Sequence, residues 1–408
     1  MNCRHCGSAL DVVFLDLGYA PPSNDYLKPE QLSAPEPTYP LRLFTCTSCW
    51  LVQTDDYKDA EDLFAADYAY FSSTSGSWLR HAAAYCDMIE QRLGLGADSF
   101  VIEVASNDGY LLKNFVAKGV PCLGIEPTDS TADAAEKIGV PCRRVFFGET
   151  VARELVAEGK AADLICGNNV YAHVPDINDF TRGLEVVLKP GGTVNLEFPH
   201  FLRLISEVQF DTVYHEHFSY LSLTAVSSIF EKAGLKVIDV EEIPTHGGSL
   251  RVYGARTDDA RTPTEAVAAV LAREQAAGLT EVSTYMGFQE RANTLKNGFL
   301  EFLLKEKKSG KRIAAYGAAA KGNTLMNYAG LKTDLIEFVC DASASKQGKF
   351  MPGSHIPILH PDELYARKPD IVVILPWNIA AEVSEVHAGI RDWGGQFVIA
   401  VPEMKTLP

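Results

Sequence analysis

Alternation between short apolar strands and amphipathic stretches constrains this chain more than any other feature of its sequence. The run FVIEVA, ending at Ser106, is followed by PCLGIEP, ADLICGNNV, GGTVNLEFP, GLKVIDVEEIP and SLRVYGAR, with helical patterns between most of them. Such alternation predicts a mainly parallel, doubly wound α/β sheet. Residues 259–308 read as helix and end at Gly310. A second strand-turn-helix follows in KRIAAYGAAAKGNTLMNY, with strands IEFVCDA and DIVVILPW behind it, so a fresh sheet of nucleotide-binding type is expected there.

With 408 residues, two or three domains are expected. A net charge of −16 works against phosphate backbones and anionic membranes, so any phosphate on a ligand must be held locally. No run of eighteen apolar residues occurs, and MNCRHCGSAL lacks the parts of a signal peptide. The expectation is a cytoplasmic monomer acting on a small molecule, with no nucleic-acid or membrane partner.

The first seventy residues read as loop-rich, because Pro21, Pro22, Pro29, Pro35, Pro37 and Pro40 interrupt any long element. A segment of that kind buries little core and needs a staple. Cys3-x-x-Cys6 and Cys46-x-x-Cys49 supply one, two thiolate pairs at the spacing of a tetrahedral four-sulfur zinc site. With every position filled by sulfur, the metal is structural. The nine cysteines do not form a disulfide framework in a chain of this length, and His5 is a poorer ligand than Cys6.

Residues Val101 to Leu112 read as a strand, a turn of small polar residues and a helix, making Glu103, Ala105, Ser106, Asn107, Gly109 and Tyr110 candidate cofactor contacts. Ala105 and Asn107 stand where glycines are common in such turns. The next strand runs into Glu126 and Pro127, and an acid about twenty residues on can accept both hydroxyls of a ribose. A nicotinamide cofactor would fit the same geometry, although GxGxxG is absent. A fourth strand then leads into Asn168, Asn169 and a loop, and Lys189-Pro190-Gly191-Gly192 is a turn before a fifth strand. That succession resembles class I methyltransferases, which implies S-adenosylmethionine.

Within FDTVYHEHFSYLS, Tyr214, His215, Glu216, His217 and Tyr220 pack three kinds of acid-base group into seven positions. In an extended segment Tyr214 and Glu216 would point one way and the histidines the other, whereas in a tight turn Tyr214 and His217 share a face. A metal site and a solvated loop remain alternatives to general-base chemistry, for which histidine has the natural pKa.

The zinc module, the E-x-x-S-N-D-G turn, NNVYAHVPD, YHEHFSY, HGGSLR and YGAAAKGNT together resemble the sugar C-methyltransferases acting on nucleotide-linked 4-keto deoxysugars. The resemblance implies three parts. These are a zinc module over 1–70, a class I S-adenosylmethionine-binding domain over 71–258, and a helical linker with a second Rossmann-like α/β domain over 259–408 that helps hold the nucleotide sugar. His217 would be the base, Tyr214 would lie near the developing enolate, Glu216 would orient the cluster, and His173 and Tyr68 would line the cavity. A thymidine nucleotide and carbon 3′ are implied, with carbon 5′ and other nucleotides left open. Lys321, with Tyr316 and Asn323 beside it, is placed to meet a pyrophosphate, and His246, Ser249 and Arg251 to face the sugar. O- or N-methylation of a natural product, a non-catalytic zinc and nucleotide regulator, and a nicotinamide dehydrogenase remain competing readings.

Overall fold

A computed structural model describes residues 1–55, 57 and 71–408. Tyr68 falls outside the described residues. Three sheets organise the rest.

The first is antiparallel and contains β1 (Val12–Ala20), β2 (Tyr39–Thr45) and β3 (Val52–Thr54). Its presence corrects the loop-rich expectation. Pro21 to Pro37 all fall in the connection between β1 and β2, so VVFLDLGYA is left free of proline, and Pro40 sits near the start of β2.

The second sheet is built from β4 (Val101–Val104), β5 (Cys122–Ile125), β6 (Cys142–Arg143), β7 (Ala162–Asn168) and β8 (Leu188–Pro199), continued by β10 (Leu235–Ile243) and β11 (Ser249–Arg256). The intervening β9 (Ser219–Tyr220) leaves this sheet and pairs instead with β3, Tyr220 opposite Val52. Strand order is β10-β11-β8-β7-β4-β5-β6, with β4 to β8 parallel and β11 antiparallel to both neighbours. This is the α/β arrangement expected, with helices such as Gly76–Leu93 and Ile177–Val187 covering it. The Lys189–Gly192 segment is drawn into β8 as an irregularity of the ladder with β7, and does not form a separate turn. Buried aliphatic and aromatic side chains from Ile102 to Val252 fill one face, and Cys3, Cys46, Cys49 and Leu51 join that same core.

The third sheet has β12 (Ile313–Tyr316), β13 (Val339–Cys340), β14 (Ile358–Leu359), β15 (Ile371–Ile374), β16 (Gln396–Ile399) and β17 (Lys405–Thr406) in the order β14-β13-β12-β15-β16-β17. The helical stretch before it is broken, running Glu265–Ala276, Val282–Met286 and Phe288–Lys308, because the chain turns at Gly278 with φ +77°. In both α/β sheets the order reverses beside the first strand, β4 in one and β12 in the other. Ligand crevices open at such points, beyond the carboxyl ends of the strands.

Candidate active site and metal centre

The four thiols of Cys3, Cys6, Cys46 and Cys49 lie within 4.8 Å of one another. The Cys3–Cys49 and Cys6–Cys46 sulfurs are 3.6 and 3.4 Å apart. Tetrahedral bonds of about 2.3 Å to zinc require sulfurs roughly 3.8 Å apart, so the donor set fits that ion with little movement. Backbone N–H groups of His5 and Cys6 point at the Cys3 sulfur, and those of Ser48 and Cys49 at Cys46, as thiolates require. His5 is excluded as a ligand: its ring nitrogens meet Asn178 Oδ1 at 2.8 Å and Ser228 Oγ at 3.1 Å, tying the module to the central domain.

Past β4 the backbone takes left-handed conformations at Ala105, Asn107 and Gly109, with φ of +57°, +50° and +76°. Asparagine tolerates this region better than most residues, and glycine suits position 109, where a Cβ would be strained at this φ and would crowd Val140 and Ala135 at 3.0 and 3.1 Å. Glu126 does not stand free to greet a ribose. Its carboxylate accepts from Asn107 N at 2.8 Å and Thr128 N at 3.0 Å, and also from the Thr128 hydroxyl, so it first shapes the turn and offers its remaining lone pairs to a ligand. Pro127 follows it, partly exposed. Glu103 is buried, and burial together with Glu126 and Asp108 pushes its carboxyl well above the usual carboxylate range, while Tyr110 opposes the shift. Asp108 Oδ1 and both amide atoms of Asn168 are buried with no hydrogen-bond partner among the described residues. Crowded carboxylates and orphaned amides around one turn suit a polar ligand carrying positive charge, as S-adenosylmethionine does. Ser106 is buried against Gly124, where a Cβ would fall 2.2 Å from its hydroxyl.

The Tyr214–His217 segment is a tight turn, closed by His217 N donating to Tyr214 O at 2.9 Å. The two side chains therefore share a face, with Tyr214 Oη 2.7 Å from His217 Nε2. His173 lies edge-on to His217 at 4.6 Å between ring centroids. Burial, the neighbouring His173 and other positive groups hold the His217 imidazole well below its ordinary pKa, and burial takes His173 down to about 4. Both rings are thus neutral near pH 7, as proton acceptors must be. His215 points elsewhere, its Nε2 3.2 Å from Pro40 O. The Glu216 carboxylate accepts from Asn24 Nδ2 at 2.7 Å, and it is the Glu216 backbone that meets His173.

Among the expected substrate contacts, the structure brings some together and sets others apart. His246, in a left-handed conformation, meets Asn169 Nδ2 at 2.9 Å, beside the loop carrying Asn168. Ser249 donates its hydroxyl to Thr245 O at 2.9 Å, closing the local turn. Arg251 is buried on β11 with Glu197 and Glu241 at 3.2 and 3.1 Å and packed over the Tyr85 ring. Tyr316 ends β12 against His387, with ring centroids 4.7 Å apart. Asn323 is fully buried and spends its Nδ2 on Ser23 O at 2.6 Å, so this atom fastens the proline-rich connection in place of a substrate. Lys321 opens the helix Ala320–Tyr328 and donates to Asn378 Oδ1 at 2.7 Å. Sequence reading missed Asn24, Asp211 and Trp377, which have no motif of their own and reach the site only through the fold.

Three family models divide the chain: a zinc binding domain over residues 3–64, a methyltransferase domain over 78–240, and a C-methyltransferase C-terminal domain over 244–402. The chain is 34% identical to the C-methyltransferase NovU of Streptomyces niveus, over 100% of its own length and 96% of that protein. It belongs to the C-methyltransferase family. The enzyme is S-adenosylmethionine-dependent, has the class I α/β fold and carries a structural zinc site. Among solved structures, it is similar to an O-methyltransferase family protein from Burkholderia thailandensis, with 20% identity, 48% of this chain and 62% of that one covered, and a TM-score of 0.37. It is also similar to the 1,6-didemethyltoxoflavin-N1-methyltransferase of the same organism, with 16% identity, coverage of 51% and 95%, and a TM-score of 0.37. No helix among the described residues is long and apolar enough to cross a membrane.

Proposed function

We propose that the enzyme methylates carbon 3′ of a thymidine-diphosphate-linked 4-keto-deoxysugar, working as a cytoplasmic monomer. The observation that carries this reading is the Tyr214–His217 pair, 2.7 Å apart beside the cofactor loops, with the His217 imidazole buried and held well below its ordinary pKa. An ordinary sugar carbon is no nucleophile, but a C–H beside a ketone yields its proton to a positioned base if the enolate oxygen is stabilised. His217 Nε2 takes that proton. The Tyr214 hydroxyl, turned from His217 to the substrate, donates to the oxygen on which charge develops. S-adenosylmethionine supplies an electrophilic methyl group, so that a C–C bond forms as its C–S bond breaks. His173 walls the cavity against water, and Tyr68 is assigned the same role. Glu103, Asp108, Asn168 and Asn169 hold the cofactor, and Lys321 and His246 face the nucleotide sugar, with the C-terminal sheet presenting Lys321.

The family name NovU carries concerns carbon methylation, which fits the enolate route better than deprotonation of a hydroxyl. A panel of 4-keto nucleotide sugars, incubated with S-adenosylmethionine and followed by mass, tests the proposal. Gain of one CH2 unit, with cofactor-independent uptake of solvent deuterium at the same carbon, is expected. Methylation on oxygen, or transfer without exchange in the absence of cofactor, would refute it.

A further inference from the structure

Asp211 lies three residues before Tyr214 and is fully buried, yet it takes no part in the reaction as derived above. Its Oδ2 accepts from Trp377 Nε1 at 2.8 Å, while Oδ1 has no hydrogen-bond partner among the described residues. Trp377 comes from the loop after β15 of the third sheet, 166 residues away. The Lys321 ammonium sits over its indole, 4.7 Å from the ring centroid. On the indole's other contact, Gly247 is pressed so close that a Cβ would fall 2.3 Å from the ring. Carboxylate, indole and ammonium thus form one stack wedged between the catalytic turn and the His246 turn.

We propose that Asp211 is a positioning residue, which through Trp377 fixes the Lys321 ammonium at the edge of the methyl-transfer cavity. An indole face attracts a cation, and a carboxylate on its N–H edge strengthens that attraction. The groups facing Asp211 are Trp377, Lys321 and the backbone N–H groups of Asp211 and Thr212. Those facing Lys321 are Asp211, Asn378, His217 and His246. On the neighbouring turn Glu207 is engaged with Gln209 and Arg203. The arrangement helps keep Lys321 charged although burial lowers its pKa, and that charge in turn favours neutral His217.

The kinetic arm of the test rests on the keto-sugar reading, whereas the spectroscopic arm needs no sugar, so the two fail separately. The emission of the zinc-loaded full chain minus that of its Trp377→Phe variant isolates Trp377. Burial raises the Asp211 carboxyl to about 6, so a step in that signal is expected near this pH. The step should vanish in Asp211→Asn and move to higher pH in Lys321→Met, because loss of a nearby cation raises a carboxyl pKa. With the keto-sugar, Asp211→Asn and Trp377→Phe should each lower kcat at least tenfold with KM for S-adenosylmethionine within twofold, and the double variant should be no slower than the slower single. A step that survives Asp211→Asn, or a midpoint unmoved by Lys321→Met, overturns the proposal. Losses that multiply in the double variant do the same. Should Asp211→Asn not fold, the Lys321→Met midpoint and the Trp377→Phe turnover still decide the matter.

Discussion

At the residue scale the site depends on keeping ionisable groups in the protonation state that each task needs. His217 has Tyr214 as its hydrogen-bond partner, and burial is the largest cause of its depressed pKa. The imidazole proposed as the base is therefore neutral through the physiological range. Activity should hold level from about pH 7 upward until another group titrates, and fall only on the acid side, below the ordinary histidine value of roughly 6.5. His217→Ala is expected to cut kcat/KM by roughly 10²- to 10⁴-fold, the usual contribution of a general base. S-adenosylhomocysteine affinity, read by calorimetry, should stay within a few fold, since His217 lies outside the cofactor turn. Asp211 has the opposite shift. A carboxyl raised to about 6 from an unfolded value near 3.8 costs native stability above the folded pKa, and that cost fades as pH falls toward the unfolded one. The difference corresponds to about 3 kcal/mol at neutral pH, at about 1.4 kcal/mol per pKa step. Asp211→Asn, whose amide oxygen can still accept from Trp377, should therefore unfold later than wild type in urea at pH 7.5. That advantage should shrink toward pH 4.5, and an advantage independent of pH would contradict the assignment of the cost to charge burial.

At the element scale, the zinc module and the Tyr214–His217 turn are mechanically joined. The Cys46–Cys49 knuckle ends where β3 begins, and β3 pairs with β9 through Gln53–Ser219 and Val52–Tyr220. Thr54 N donates to Phe218 O at 3.1 Å, immediately after His217. The metal thus holds the strand that holds the turn. Chelation of zinc, or Cys49→Ser, is expected to abolish methyl transfer while S-adenosylhomocysteine binding, which uses loops of the second sheet, is retained within about tenfold, on the scale typical of a supporting-shell loss. Parallel calorimetry and turnover assays on the metal-free protein check this, and equal loss of both would mean that the zinc supports the whole fold instead. This link could not be read from sequence. The CxxC spacing was legible because two thiolates on one knuckle have a fixed reach, and the Tyr214–His217 pairing was one of two geometries that the local spacing allowed. The β3–β9 ladder joins residues about 170 apart, as the Asp211–Trp377 contact does, and no local pattern encodes either. Proline density hid β1 and β2 because proline content was averaged over a segment in which the breakers are in fact gathered into one connection. The partners of Ser249 and Arg251 were hidden for the converse reason: polar residues after a glycine turn look free of contacts until the ladder shows them covered.

At the scale of the whole molecule, hydrogen bonds tie the C-terminal sheet's first helix and turn to the proline-rich connection and to the backbone before the Tyr214–His217 turn. Tyr26 donates to Ala318 O at 2.5 Å, Thr324 Oγ1 to Val213 O at 2.7 Å, and Asn323 Nδ2 to Ser23 O at 2.6 Å. The C-terminal sheet is therefore no remote nucleotide holder. The helix after its first strand packs on the backbone just before Tyr214, Thr324 lying on Val213. Asn323 gives the cleanest measure of this coupling, because its side chain is fully buried and touches none of the residues assigned to proton transfer. Truncation to alanine would strand the Ser23 carbonyl in a desolvated interface. A buried acceptor left without its donor costs about 1 to 3 kcal/mol, so Asn323→Ala should lower the urea midpoint accordingly. If the interface only stabilises the fold, kcat and KM of the folded fraction should match wild type. If it also sets the distance from Lys321 to His217, KM for the nucleotide sugar should rise severalfold while S-adenosylhomocysteine affinity stays unchanged. The second outcome is the expected one, since Asn323 lies half a turn from Lys321 on the same short helix and a shift in one moves the other.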